Sequence, residues 1–175
     1  SFTFAATAEV VAWLGATPIF VDIDEATYNM DIKGLGAAMS TARQNNLTVK
    51  ALIAVDLFGQ PADYDPISEF CKTNGIMLIA DSAQGFGGSY KGRVAGSIGD
   101  FATTSFFPAK PLGCYGDGGA ILTAHDEHHA VIRSLHVHGK GTDKYDNVRI
   151  GVNSRLDTVP VSYTHLRAHE TKANL

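Results

Sequence analysis

The stretch Ile76-Met77-Leu78-Ile79-Ala80-Asp81-Ser82-Ala83-Gln84-Gly85 is an apolar run that ends in a carboxylate and polar or small residues. Short runs that are apolar throughout are typical of strands buried on both faces, as in parallel sheets. The run Leu52-Ile53-Ala54-Val55 has the same character and also ends in an aspartate. The two runs therefore predict strands of a parallel sheet that are buried on both faces.

Working outward from these runs, β-branched stretches alternate with segments of helical spacing. The predicted strands are residues 17–23, 49–56, 75–81, 101–106 and 119–123, and the predicted helices are residues 6–14, 32–45, 65–74 and 126–136. This alternation implies right-handed crossovers and an α/β fold, a mostly parallel sheet with helices on both faces. Glycine-rich residues 85–99 interrupt the rhythm and predict a loop with a hairpin around residues 90–92.

The composition excludes several classes of protein. The chain has 175 residues and a net charge of −4 with both signs mixed, so it has no basic stripe for nucleic acid or an anionic membrane surface. No apolar run reaches the roughly 18 residues of a membrane span. Cys71 and Cys114 are far apart in sequence, which favours free thiols in a reducing cytoplasm. Three histidines, at 125, 128 and 129, are interpreted as solvated surface, and no metal site is expected.

Two charged residues follow predicted strands, where open parallel sheets bind their ligands. Asp81 ends one strand, and Lys110 lies in the loop after another. Each also has a structural interpretation, since Asp81 could cap a following helix and Lys110 could be a solvent-facing lysine. Their neighbourhoods favour chemistry, because an amine among apolar residues is partly desolvated and more nucleophilic toward an aldehyde. Ser105 offers a hydroxyl to a phosphate, and Gln84 a side-chain amide to a bound ring.

Several segments together resemble the DegT/DnrJ/StrS-type sugar aminotransferases, members of the fold-type-I pyridoxal 5'-phosphate (PLP) enzymes. The matching segments are residues 1–8, 15–22, 57–63, 80–84, 105–110, 115–119 and 151–157, in unbroken order. The resemblance implies that residues 1–157 are part of a PLP-binding large domain of the aspartate-aminotransferase type. It is far more specific than a lone glycine motif.

The resemblance assigns roles to individual residues. It implies that Lys110 forms the Schiff base with PLP and moves the proton, and that Asp81 keeps the pyridine nitrogen protonated. Gln84 would contact the ring, and Ser105 would bind the phosphate. Phe4 would stack on the ring.

The resemblance also implies a homodimer with shared sites, in which Asn153 reaches the phosphate of the neighbouring subunit's cofactor. His138 lies in a family-like stretch and receives no catalytic role. Lysine at position 110 favours transamination, because related sugar dehydratases carry histidine there. The expected reaction moves an amino group, from glutamate, to a nucleotide-linked keto sugar for surface polysaccharide.

Residues 158–175 depart from the family pattern. Pro160 would break the helix expected there, so this segment is predicted to be an artefactual or disordered tail. His165 and His169 have the spacing of a helical zinc pair but lack the accompanying glutamate, which disfavours a zinc site. The resemblance implies that the intact enzyme also has an upstream phosphate-binding turn and a second small domain, so the isolated 175-residue chain is expected to be poorly soluble or inactive.

Three alternative functions remain open or are disfavoured. A sugar dehydratase or lyase would use the same cofactor, and a regulatory homologue would bind without catalysis. A nicotinamide-binding domain is disfavoured, because no glycine fingerprint follows the first predicted strand.

Overall fold

The computed structural model describes residues 2–143 and 145–157. Within these ranges the helices are α1 (Ala6–Trp13), α2 (Leu35–Gln44), α3 (Tyr64–Asn74) and α4 (Asp126–Leu135). The strands are β1 (Ala51–Val55), β2 (Met77–Asp81), β3 (Ser89–Tyr90), β4 (Arg93–Val94), β5 (Phe101–Ser105) and β6 (Gly119–Leu122). Short 3-10 turns at Ile32–Gly34 and Leu57–Gly59 complete the elements.

The main sheet has the strand order β1-β2-β5-β6. β1 pairs with β2 and β2 pairs with β5 in parallel, whereas β6 runs antiparallel to β5. The predicted mostly parallel sheet is therefore confirmed, and the carboxyl ends of β1, β2 and β5 meet at one edge. β3 and β4 form the hairpin predicted within the glycine-rich segment.

Helix α3 covers one face of this sheet. Leu78 and Ala80 of β2 are 3% and 0% exposed and share a core with Ile67 and Cys71 of α3. Gly75 ends α3 at φ 64°, a left-handed conformation that glycine adopts without steric cost. α3 can therefore turn at once into β2, as the asparagine–glycine pair predicts.

Helix α1 lies toward the opposite face. Successive strand side chains point to opposite faces, so Asp81 faces away from the side of Ala80 that α3 covers. The Thr7 hydroxyl of α1 donates a hydrogen bond to the Asp81 carboxylate at 2.8 Å. Helices on both faces are therefore confirmed.

The strand predicted over residues 17–23 is wrong. Only Ile23 forms a bridge there, an isolated antiparallel one with Met30. A β-branched run becomes a strand only when a neighbouring strand forms a ladder with it. Within the described ranges residues 17–22 form no such ladder, although the Asp31 N–H donates to the Asp22 carbonyl at 2.9 Å. No helix in the described ranges is long and apolar enough to cross a membrane.

Candidate active site

Asp81 ends β2 at the carboxyl edge of the sheet, and its carboxylate is held by two donors. Thr7 Oγ1 donates to Oδ2 at 2.8 Å, and the Ala83 backbone N–H donates to Oδ1 at 3.2 Å. The second contact means that Asp81 does cap the turn that follows, as its structural interpretation expected. A carboxylate oxygen has the capacity for more than one hydrogen bond, so the oriented group can still accept a pyridinium N–H.

Sequence reasoning missed Thr7. Its backbone N–H donates to the Phe4 carbonyl at 3.3 Å, so Phe4 lies one turn before the residue that contacts Asp81. The Phe4 side chain is 71% exposed and thus available for a ring to stack on. A hydroxyl in the first turn of α1, within the family-like segment 1–8, is the signal in the sequence that could have found Thr7.

Gln84 follows Asp81 in the same turn. Its Oε1 accepts a hydrogen bond from the Phe58 backbone N–H at 2.7 Å. Because a backbone N–H can only donate, this contact fixes which amide atom is the oxygen. Among the described residues no acceptor is recorded for its Nε2, which therefore remains a donor for a ring oxygen.

Ser105 ends β5, next to β2. Asp81 pairs with Thr103, so Ser105 lies two residues farther along the neighbouring strand at the same edge. Its Oγ accepts the Phe107 N–H at 3.2 Å and keeps its own proton for a phosphate oxygen.

Lys110 lies in the tight loop after β5. Its backbone N–H donates to the Phe107 carbonyl at 2.9 Å, and the residue is half-buried rather than fully solvated. Gly113 closes the loop, because a Cβ there would lie 2.3 Å from the Pro108 carbonyl oxygen. In the described part of the chain the Lys110 amine makes no salt bridge or hydrogen bond.

Asn153 is not brought to this edge by any contact among the described residues. It forms an isolated bridge with Val137, and its Oδ1 accepts a hydrogen bond from Arg155 Nε at 3.1 Å. Its role toward a neighbouring subunit stays a prediction. The predicted tail, with His165 and His169, lies outside the described residues.

The groups at this edge of the sheet have the chemistry that PLP requires. A carboxylate, an amide donor, a hydroxyl and an amine lie on the ends or following loops of two adjacent parallel strands, at the edge where such sheets bind ligands. Among the described residues no cluster of three or more histidine, cysteine or acidic side chains could hold a metal ion. Cys71 and Cys114 are free and buried.

Known proteins with curated functions include close relatives. The chain is 51% identical over 158 residues to a UDP-2-acetamido-2-deoxy-3-oxo-D-glucuronate aminotransferase of Pseudomonas aeruginosa, covering 90% of this chain and 42% of that protein. It is 43% identical over 171 residues to a pleiotropic regulatory protein of Geobacillus stearothermophilus, covering 95% and 44%. The chain thus spans less than half the length of these relatives.

Solved structures agree with the sequence comparison. A DegT DnrJ EryC1 StrS aminotransferase from Brucella abortus superposes with a TM-score of 0.92 at 48% identity, over 96% of this chain and 45% of that one. The PLP form of Spr1654 from Streptococcus pneumoniae superposes with a TM-score of 0.80 at 25% identity, over 98% and 47%. The sequence model of the DegT/DnrJ/EryC1/StrS aminotransferase family matches residues 1–166. The chain therefore belongs to the DegT/DnrJ/EryC1/StrS aminotransferase family.

Proposed function

We propose that this chain belongs to a PLP-dependent aminotransferase that moves an amino group from glutamate to a nucleotide-linked keto sugar. The observation that carries the proposal is the doubly held Asp81 carboxylate at the end of β2, beside the strand that leads to Lys110. PLP, when bound, supplies an aldehyde and an electron-accepting ring. Family membership and the aminotransferase relatives support this assignment.

The chain's own residues have distinct tasks. Asp81 would hold a proton at the pyridine nitrogen, and Gln84 would donate from Nε2 to the ring oxygen. Ser105 would donate to the phosphate, and Phe4 would cover one face of the ring. Lys110 would supply the amine for the aldehyde of PLP, and its Nζ would hold and move a proton during the reaction.

The partners belong to the same proposal. The relative from Pseudomonas aeruginosa acts on a UDP-linked keto sugar, which supports a nucleotide-sugar substrate here. Asn153 serves the cofactor of a second copy in a homodimer. We place the reaction in the cytoplasm, where the buried thiols of Cys71 and Cys114 stay reduced.

A binding-only regulator is the second candidate, favoured by the likeness to a regulatory protein. The aminotransferase and the regulator differ in whether bound PLP takes part in a reaction. The complete product of the gene is incubated with PLP, reduced with borohydride and digested, and the modified peptide is mapped. The enzyme is expected to carry the label at Lys110 and to form 2-oxoglutarate from glutamate and a UDP-linked keto sugar.

The control is Lys110→Arg, which keeps the charge but cannot form the covalent link. This variant should carry no label. Its rate of 2-oxoglutarate formation should fall at least about a thousandfold, since arginine cannot take over the covalent and proton-transfer roles of the lysine. A label at another lysine would overturn the assignment. A label at Lys110 without any 2-oxoglutarate would favour the regulator.

A further inference from the structure

A second carboxylate lies directly behind the candidate site. Asp56 follows β1, is 0% exposed, and accepts three hydrogen bonds. Ser82 Oγ donates to its Oδ2 at 2.5 Å, while Tyr64 OH and the Ala62 N–H donate to Oδ1 at 2.6 and 3.1 Å. Burial raises the pKa of Asp56, whereas its three donors act in the opposite direction.

The strand register explains why Asp56 meets Ser82. Val55 pairs with Asp81, and the Asp56 N–H donates to the Asp81 carbonyl at 3.0 Å, so Asp56 and Ser82 stand opposite each other one position farther. Side chains alternate between faces, so Asp81 projects on the α1 side and Asp56 on the α3 side. The Asp56–Ser82 contact therefore joins the two strand ends from the reverse face of the sheet.

The turn that carries Gln84 packs against the same carboxylate. A Cβ on Gly85 would lie 2.7 Å from Asp56 Oδ2, so only glycine allows this approach. The Gly85 N–H also donates to the Ser82 carbonyl at 3.0 Å. Residues 82–85 thus rest on Asp56 on the reverse face, while Gln84 is held by the Phe58 N–H.

We propose that Asp56 is a positioning residue, which fixes through Ser82 the strand end and turn that present Asp81 and Gln84 to the cofactor. This inference rests on the proposed function, since it requires a ring at Asp81. Asp56 itself touches no cofactor atom. Its effect passes through the direction in which the Asp81 carboxylate points.

The two hydroxyls on Asp56 provide a matched pair of variants. Ser82→Ala removes the hydrogen bond that joins Asp56 to the turn after Asp81. Tyr64→Phe removes the hydrogen bond that joins Asp56 to α3, on the side away from the site. Both leave Asp56 with two donors, so their melting temperatures without cofactor should fall by similar amounts. In the complete gene product, Ser82→Ala is expected to weaken PLP binding about tenfold, and Tyr64→Phe less than about threefold.

A PLP analogue with carbon in place of the ring nitrogen distinguishes a misplaced Asp81 carboxylate from a general loss of structure in the site. It lacks the N–H that Asp81 accepts, so a defect that acts through Asp81 should shrink to less than about threefold for the analogue. Asp56→Asn, of nearly the same shape, should show the same dependence on the ring nitrogen and replaces Ser82→Ala if that variant does not fold.

The outcomes separate the two proposals. Wild-type protein that binds no PLP would refute the proposed function. Wild-type protein that binds PLP, with equal losses for Ser82→Ala and Tyr64→Phe, would overturn the inference alone. Equal losses of PLP and analogue affinity in Ser82→Ala would also overturn it, because the effect would then be structural only.

Discussion

Helices α1 and α3 lie on opposite faces of the same sheet and are held by different kinds of contact. Tyr64, Ile67 and Cys71 of α3 are buried, whereas α1 has no buried residue. Trp13 of α1 and the adjoining Leu14 are 85% and 86% exposed. A side-chain hydrogen bond, from Thr7 to Asp81, joins α1 to β2.

The cavity beside α1 shows the same difference. It has a volume of about 650 Å³ and is lined mainly by apolar residues of α1, of residues 14–23 and of β1. The α3 face is close-packed, so apolar burial holds the fold there. The α1 face carries Asp81 of the candidate site, which a hydrogen bond from Thr7 holds. Substitutions on the α3 face should therefore change the free energy of unfolding, and substitutions on the α1 face should change the affinity for the cofactor.

The largest expected effect comes from a pair of identical truncations. Leu78→Ala removes a 3% exposed side chain on the α3 face and should lower the free energy of unfolding by about 2–5 kcal/mol. Leu14→Ala should change it by less than about 0.5 kcal/mol, because little buried area is lost. Denaturant unfolding of the complete gene product measures both. A loss above about 2 kcal/mol for Leu14→Ala would break the comparison.

An intermediate effect is expected from Thr7 on the α1 face. Thr7→Val keeps the shape but removes the donor to Asp81, and should weaken PLP binding roughly three- to tenfold, since a hydrogen bond contributes about 1 kcal/mol net. Thr7→Ser keeps the hydroxyl and serves as the control. PLP titration measures both affinities. Unchanged affinity in Thr7→Val would mean that the α1 contact does not orient the carboxylate.

The smallest effect is expected at the polar rim of α3. Asp65 bonds to Lys91 and Arg93 of the hairpin, and its hydrogen bond with Lys91, followed by the charges of both, lowers the pKa of its carboxyl. A lowered folded pKa adds stability above the unfolded pKa, which is lost as pH falls through the folded pKa. Asp65→Asn should therefore lower the melting temperature slightly at neutral pH and not in strong acid.

The control for this prediction is Glu69→Gln, an exposed change on the same helix at a residue with no ion pair among those described. High salt should shrink the effect of Asp65→Asn, because these charges are exposed. An Asp65→Asn effect that persists in strong acid would show that the hairpin is held there by something other than charge.

Much of the fold followed from local pattern. The apolar runs at 52–55 and 76–80 form β1 and β2, because a strand covered on both faces needs apolar residues at every position. Asp81 and Lys110 were expected at the carboxyl edge, since residues that follow parallel strands must emerge there. Family motifs at these same positions led to the prediction of PLP, and the family is confirmed.

The rest was decided only by the tertiary structure. The run 17–23 has strand-like residues, but a strand exists only with a hydrogen-bonded neighbour, which no local pattern specifies. The contacts of Thr7 with Asp81 and of Asp56 with Ser82 span 74 and 26 positions of sequence. Such pairs meet because strand register and helix packing bring them together. The amino-acid sequence thus predicted the candidate residues of the site, and tertiary packing determined which residues hold them in place.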